Sequence, residues 1–230
     1  MKNLNFLKKN WIKLSLGIIL FLGLGFLWYI SDYYPADNSA LKILEKTDVY
    51  EFENYIELRA ESDIGLIFYP GGKVESLAYL VLLDSIRNEG INVYLVKMPF
   101  NLAVFNVNAA DEITEKHPNI KHWYIGGHSL GGAMASQYLN KKSDRFVGLI
   151  QLSAYPLNDR ESNVLILYGT NDTVLDLDKL TPFNSTEIEG GNHAYFGNYG
   201  EQAGDGVATI SRSDQQSFTV KAIIEFIYSK

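Results

Sequence analysis

The chain has 230 residues, a formal charge of −7 and no cysteine, with 47% hydrophobic and 20% charged residues. That make-up excludes a disulfide scaffold, a thiolate metal site, a cysteine nucleophile and a disordered chain. Four lysines (Lys2, Lys8, Lys9, Lys13) and no acid stand in residues 1–30, which leaves 16 basic against 27 acidic residues elsewhere, a net of −11, and speaks against a nucleic-acid partner.

Residues 14–30 form an uncharged apolar run of 17 residues. As a helix it is about 26 Å long, within reach of a bilayer core of about 30 Å. Trp11 at one end and Trp28 with Tyr29 at the other suit the two interfaces. All the nearby lysines lie on the N-terminal side, which predicts a cytoplasmic N-terminus and an extracytoplasmic body. Residues 1–30 are therefore expected to be a membrane anchor (signal-anchor), with a cleaved signal peptide as the competing reading, although no clean A-x-A site follows. Residues 31–40 read as a polar tether, and 41–230 as one globular domain.

Within that domain, alternation at 49–52 and 55–58 predicts an opening strand or hairpin. Apolar runs then predict strands at 64–69, 92–96, 122–126, 147–152, 164–168 and 185–189. Helices are expected at 74–88, 107–116, 130–140 and 220–228. Strands apolar on both faces and alternating with helices imply a mostly parallel sheet covered on both sides, with function gathered at the C-terminal strand ends.

One such strand runs into Gly127-His128-Ser129-Leu130-Gly131 and a helix follows. This G-x-S-x-G between strand and helix is a nucleophile elbow: small flanking residues permit a turn tight enough to expose a strained serine. A serine hydroxyl needs an adjacent base, itself oriented by a third group. Of the four histidines, His193 follows the last predicted strand in a Gly-Gly-Asn-His loop and is the expected base. His128 lies inside the elbow with its side chain expected to point away, and His117 and His122 are expected to be solvated. The acid falls between nucleophile and base in chain order. Asp172, in the Gly169-Thr170-Asn171-Asp172 turn, is chosen over Asp176 and Asp178, which are expected to cap or solvate the next helix. The oxyanion hole is expected to use the N–H of Leu130 and one from the Pro70-Gly71-Gly72 loop, through Gly71 or Gly72. Phe100, Asn101 and Tyr195 are expected to line the substrate pocket, and residues 194–216 to form a loop covering it.

The motifs Tyr69-Pro70-Gly71-Gly72, Gly127-His128-Ser129-Leu130-Gly131-Gly132, Gly169-Thr170-Asn171-Asp172 and Gly191-Asn192-His193 follow one another as in the α/β-hydrolase superfamily. Over residues 48–230 the chain is similar to its compact branch, the dienelactone hydrolases. The resemblance implies an α/β-hydrolase fold without a large cap domain. Dienelactone hydrolases carry a cysteine nucleophile, so Ser129 points to general ester chemistry instead.

The expected activity is that of a membrane-tethered serine hydrolase, cleaving carboxylic esters or thioesters through an acyl-enzyme. The expected partners are a small-molecule ester and, through the N-terminal helix, a membrane; no cofactor and no metal are expected. An acyltransferase using the same triad, and a catalytically silent binding protein on this fold, are the alternatives. The little sequence left for a lid favours short-acyl esters over triglycerides.

Overall fold

A computed structural model describes residues 2–157 and 163–229. The chain divides into two compact units, Met1–Tyr33 and Tyr34–Lys230. The first is a single helix, α1 (Lys2–Ser31), whose stretch Lys13–Ser31 is long and apolar enough to cross a membrane. None of that stretch is buried within the protein.

The second unit is built on an eight-stranded sheet in the order β1-β2-β4-β3-β5-β6-β7-β8. Its strands are β1 (Val49–Glu51), β2 (Tyr55–Leu58), β3 (Ile64–Tyr69), β4 (Asn92–Val96), β5 (His122–His128), β6 (Phe146–Leu152), β7 (Val164–Gly169) and β8 (Thr186–Ile188). The β1–β2 hairpin joins the sheet antiparallel to β4, and every pairing from β4 to β8 is parallel. Consecutive side chains on a strand point to opposite faces. Leu66 and Phe68 of β3 accordingly join one core with α3 (Leu80–Asn88) and α6 (Arg212–Tyr228), while Ile67 and Tyr69 join the other with α4 (Ala109–Lys116) and α5 (Leu130–Lys142). Such two-sided cover is why these strands read as unbroken apolar runs. Among the described residues no cap domain is inserted between sheet and helices.

The structure departs from the sequence reading at three places. Residues 34–40, expected as part of a tether, are bonded to the body. Tyr34 N–H donates to Lys73 O (2.7 Å), Ala36 N–H to Glu75 Oε2 (2.8 Å) and Asp37 N–H to Asn198 O (2.9 Å). Asp37 then caps the short helix α2 (Asn38–Leu41) by accepting from Ser39 and Ala40 N–H. Second, α3 is preceded by a 3-10 turn over Ser76–Tyr79, so the expected helix starts later and tighter. Third, α6 starts at Arg212, eight residues before the expected 220. Ser211 caps it by accepting from Asp214 N–H (3.1 Å), and its polar first turns carry the buried Gln215, Gln216 and Thr219.

Candidate active site

Strand β5 ends at His128 and α5 begins at Leu130, so Ser129 makes the whole connection alone, at φ 51°. Its N–H is fixed by Leu152 O at the end of β6 (2.9 Å). The left-handed conformation is costly for a residue with a Cβ. Close packing enforces it: a Cβ on Gly127 would lie 2.5 Å from Gly131 C, and one on Gly131 would lie 2.2 Å from Tyr69 O.

Asp172 follows the end of β7 and His193 the end of β8, beyond β6 on the same side of the sheet. His193 Nδ1 bonds Asp172 Oδ2 at 2.9 Å, and both side chains are buried. The other carboxylate oxygen, Oδ1, accepts from Val174 and Leu175 N–H (2.9 Å each), so Asp172 shapes its own loop while holding the imidazole. Burial pushes the Asp172 carboxyl up. The bond and charge of His193, aided by Ser153 and the Leu175 N–H, outweigh that and hold the carboxyl below its ordinary value. His193 Nε2 is buried and has no hydrogen-bond partner. Both His193 and Ser129 line one open cavity of about 420 Å³, with Leu130, Ala133 and Ser153 beside them. That volume is at the small end for ligand sites. Ser153, at φ 44° immediately after β6, also lines the cavity with a buried hydroxyl that lacks a well-formed bond.

The oxyanion expectation divides between the two glycines. Gly71 donates its N–H inward to Tyr79 Oη (3.0 Å) and is therefore not a donor toward the cavity. Gly72 packs on the Leu130 side chain, where a Cβ would come within 2.9 Å of Cδ2, and no acceptor within the described residues takes its N–H. Leu130, the first residue of α5, has no intrahelical acceptor for its own N–H.

His128 points away from the cavity but is far from idle. Its ring centroid lies 4.5 Å from that of His193, and Tyr79 Oη is 2.8 Å from Nδ1. Since the Tyr79 oxygen accepts from Gly71, its proton has His128 Nδ1 as the acceptor in reach, which assigns His128 as neutral. Burial first, and then repulsion from a charged His193, push the His128 imidazole well below its ordinary range.

The loop after β8 is held by side chains the sequence did not single out. Asp205 accepts from His193 N–H (3.2 Å) and Ala194 N–H (2.9 Å), capping the turn that begins at the histidine. Gln215 on α6 bonds both the N–H and the carbonyl of Asn192 (3.0 and 2.8 Å). The 194–216 segment, expected to cover the pocket, instead braces the histidine, with its Phe196 and Tyr199 buried in the core. Tyr195 lies under the Arg212 guanidinium at 4.7 Å. Phe100 and Asn101 sit at φ 57° and 55°, with Asn101 O accepting from Lys73 N–H (2.8 Å). None of Phe100, Asn101 and Tyr195 is among the residues lining the cavity; Ala154, Tyr155, Val174, Leu175, Asp176 and Lys179 complete it instead. Asp176 therefore faces the cavity, paired with Lys179 at 3.2 Å, and does not cap a helix with its side chain. His122 is exposed as expected, but His117 is half-buried, 4.5 Å from the Tyr94 ring and bonded to Tyr55 Oη (3.2 Å). Among the described residues no cluster of His, Cys, Asp or Glu has the arrangement of a metal site.

A family model described as "Alpha/beta hydrolase family" matches residues 65–217, more than half of the chain. No curated protein matches the chain. Among solved structures it is similar to a monoacylglycerol lipase from Paleococcus ferrophilus, at TM-score 0.58 and 14% identity, covering 78% of this chain and all of that one. An esterase from Pyrococcus furiosus matches at TM-score 0.58 and 13% identity, over 87% of this chain and 94% of the other. A predicted CIB-like hydrolase from Thermoplasma acidophilum matches at 0.55 and 14%, over 74% and 91%. At such identities these likenesses speak for the fold, and with the family match and the strand–Ser129–helix turn they lead to one assignment: the chain belongs to the alpha/beta hydrolase family.

Proposed function

We propose that the protein is a membrane-tethered serine hydrolase that cleaves carboxylic esters or thioesters through Ser129, His193 and Asp172. One observation carries the reading: a buried His193–Asp172 pair whose remaining nitrogen, Nε2, is unpaired beside the cavity that Ser129 lines. The lipase and esterase among the similar structures support an ester as the substrate.

In this reading His193 Nδ1–H donates a hydrogen bond to the ionised Asp172 carboxylate and keeps its proton, which leaves Nε2 as the base that takes the Ser129 proton. Ser129 Oγ then attacks the carbonyl carbon, and the Leu130 and Gly72 N–H groups stabilise the negative charge that develops on its oxygen. Collapse of the tetrahedral species expels the alcohol or thiol, which receives the proton from Nε2, and leaves an ester on Ser129. A water deprotonated by Nε2 then releases the acid. The low carboxyl of Asp172 keeps it ionised beside the imidazolium that forms in each half. The neutral His128 behind it adds no opposing charge. Helix α1 would hold the body to a membrane, with the lysines before it on the cytoplasmic side and the catalytic domain outside.

The test is a pre-steady-state measurement with a chromogenic ester. A burst of released alcohol stoichiometric with enzyme, absent in Ser129→Ala, is the expected result. Ester cleavage at full rate in Ser129→Ala would overturn the assignment.

A further inference from the structure

The parallel strands all end on the edge of the sheet where Ser129 sits, and the loops leaving that edge hold apolar side chains outward. After β4, Phe100, Val104 and Phe105 are 50%, 48% and 51% exposed, with the two phenyl rings in edge contact at 5.4 Å. After β7, Val174 and Leu177 are 42% and 44% exposed, and after β8 Val207 is 86% exposed. Apolar residues scattered singly over a surface need no explanation, but a group held on the loops of one sheet edge does. These loops border the candidate site. Val174 lines its cavity, the loop after β4 bonds the Gly71–Lys73 turn through Asn101, and Val207 O accepts from the Asn171 side chain next to Asp172.

The second observation is the length of chain between α1 and the body. α1 ends at Ser31, and Tyr34 is already bonded on both sides of Val74, through Lys73 O (2.7 Å) and Glu75 N–H (2.9 Å). Three residue steps reach about 10 Å at full extension. The chain therefore leaves an apolar helix and within that reach joins the backbone directly behind Gly71 and Gly72. A bilayer holding α1 would keep this edge at its surface. The body's net charge of −11 gives no attraction to anionic headgroups, so contact has to be apolar.

We propose that the catalytic edge docks on the bilayer, with the loops after β4, β7 and β8 dipping into the interface, and that the substrate is an amphiphilic carboxylic ester drawn from the membrane. The docking half rests on the membrane-tether reading of α1, and the substrate half on the serine-hydrolase reading as well. The ester carbonyl reaches Ser129 from this edge while its acyl chain remains in apolar surroundings.

The absence of native cysteine makes single-site labelling of the full-length chain direct. An environment-sensitive fluorophore is placed at Phe105→Cys, at Val207→Cys and, for comparison, at Tyr228→Cys. Tyr228 bonds Glu89 O just before β4 begins, at the opposite edge of the sheet. In phosphatidylcholine vesicles containing nitroxide-labelled lipid, the probes at 105 and 207 are expected to be quenched and the probe at 228 not. Equal quenching by a water-soluble agent at all three positions overturns the docking. The substrate half is read from a Phe105→Ser, Leu177→Ser, Val207→Ser variant. Its kcat/KM for a long-chain 4-nitrophenyl ester in vesicles is expected to fall about tenfold, ~1.4 kcal/mol, while its rate on dissolved 4-nitrophenyl acetate stays that of the wild type. An equal loss on both esters overturns membrane delivery. Quenching as expected with no wild-type activity on either ester would instead strike the hydrolase reading and leave the docking standing.

Discussion

Protonation of His128 sets a measurable dependence of stability on pH. The side chain is 1% exposed, receives the Tyr79 hydroxyl at Nδ1 and is driven well below its ordinary value of 6.5, chiefly by burial. Below that value the unfolded chain takes up a proton that the folded chain refuses. Stability is therefore complete above pH ~6.5 and is lost as pH falls, by about 1.4 kcal/mol per unit. Between pH 7 and pH 5 this comes to about 2 kcal/mol from one residue. The comparison is His128→Asn, which leaves an acceptor near Tyr79 and does not titrate. Urea unfolding followed by tryptophan fluorescence in mild detergent, at pH 7, 6 and 5, gives the stability difference between the two proteins at each pH. Contributions from Asp172 and His117 enter both and cancel to first order. The wild type is expected to lose about 2 kcal/mol relative to the variant over this range. A difference that does not change with pH would mean that His128 accepts its proton in place, and would refute the neutral assignment of the whole Tyr79–His128–Gly71 network.

Three further outcomes follow from the same contacts. Tyr79→Phe strips a partner from two buried groups, Gly71 N–H and His128 Nδ1. Each is expected to cost about 1–3 kcal/mol in unfolding free energy, with kcat falling more than KM changes because the Gly71–Gly72 loop loses its support. Asp205→Ala removes the acceptor of two N–H groups that fix His193; a loss of about 2–3 kcal/mol and a lower kcat are expected from denaturant titration and ester assays. Asp172→Asn should keep the fold by circular dichroism but lower kcat by roughly 10³–10⁴-fold, because the imidazole loses its orienting anion.

The strands were legible because the chain punctuates them: apolar runs such as 64–69 and 92–96 have the same limits in the sequence and in the sheet. The elbow was legible because its chemistry is local, with strand, serine and helix contiguous in the chain. What escaped is carried by distant polar residues. Asp205 caps a turn eleven and twelve residues away, and Tyr79 reaches His128 across 49 positions, contacts no local pattern announces. Residues 34–40 look like a linker because Asp37, Asn38 and Ser39 are polar, yet that polarity belongs to a helix cap. The start of α6 was missed for a related reason. Apolar periodicity begins only near 220, while the first turns bury glutamines against the histidine loop; Ser211 with Asp214 three residues on was the available signal. Sequence alone does not separate Gly71 from Gly72 as a donor toward the cavity; only the Tyr79 bond, which takes the Gly71 N–H inward, does so.

The central claim, an activated Ser129, is tested most directly by intact-mass analysis after fluorophosphonate treatment. A single adduct that maps to Ser129, disappears in Ser129→Ala and forms far more slowly in His193→Ala is the result expected here. Folded wild-type protein that forms no adduct, or forms one elsewhere, would contradict the catalytic reading.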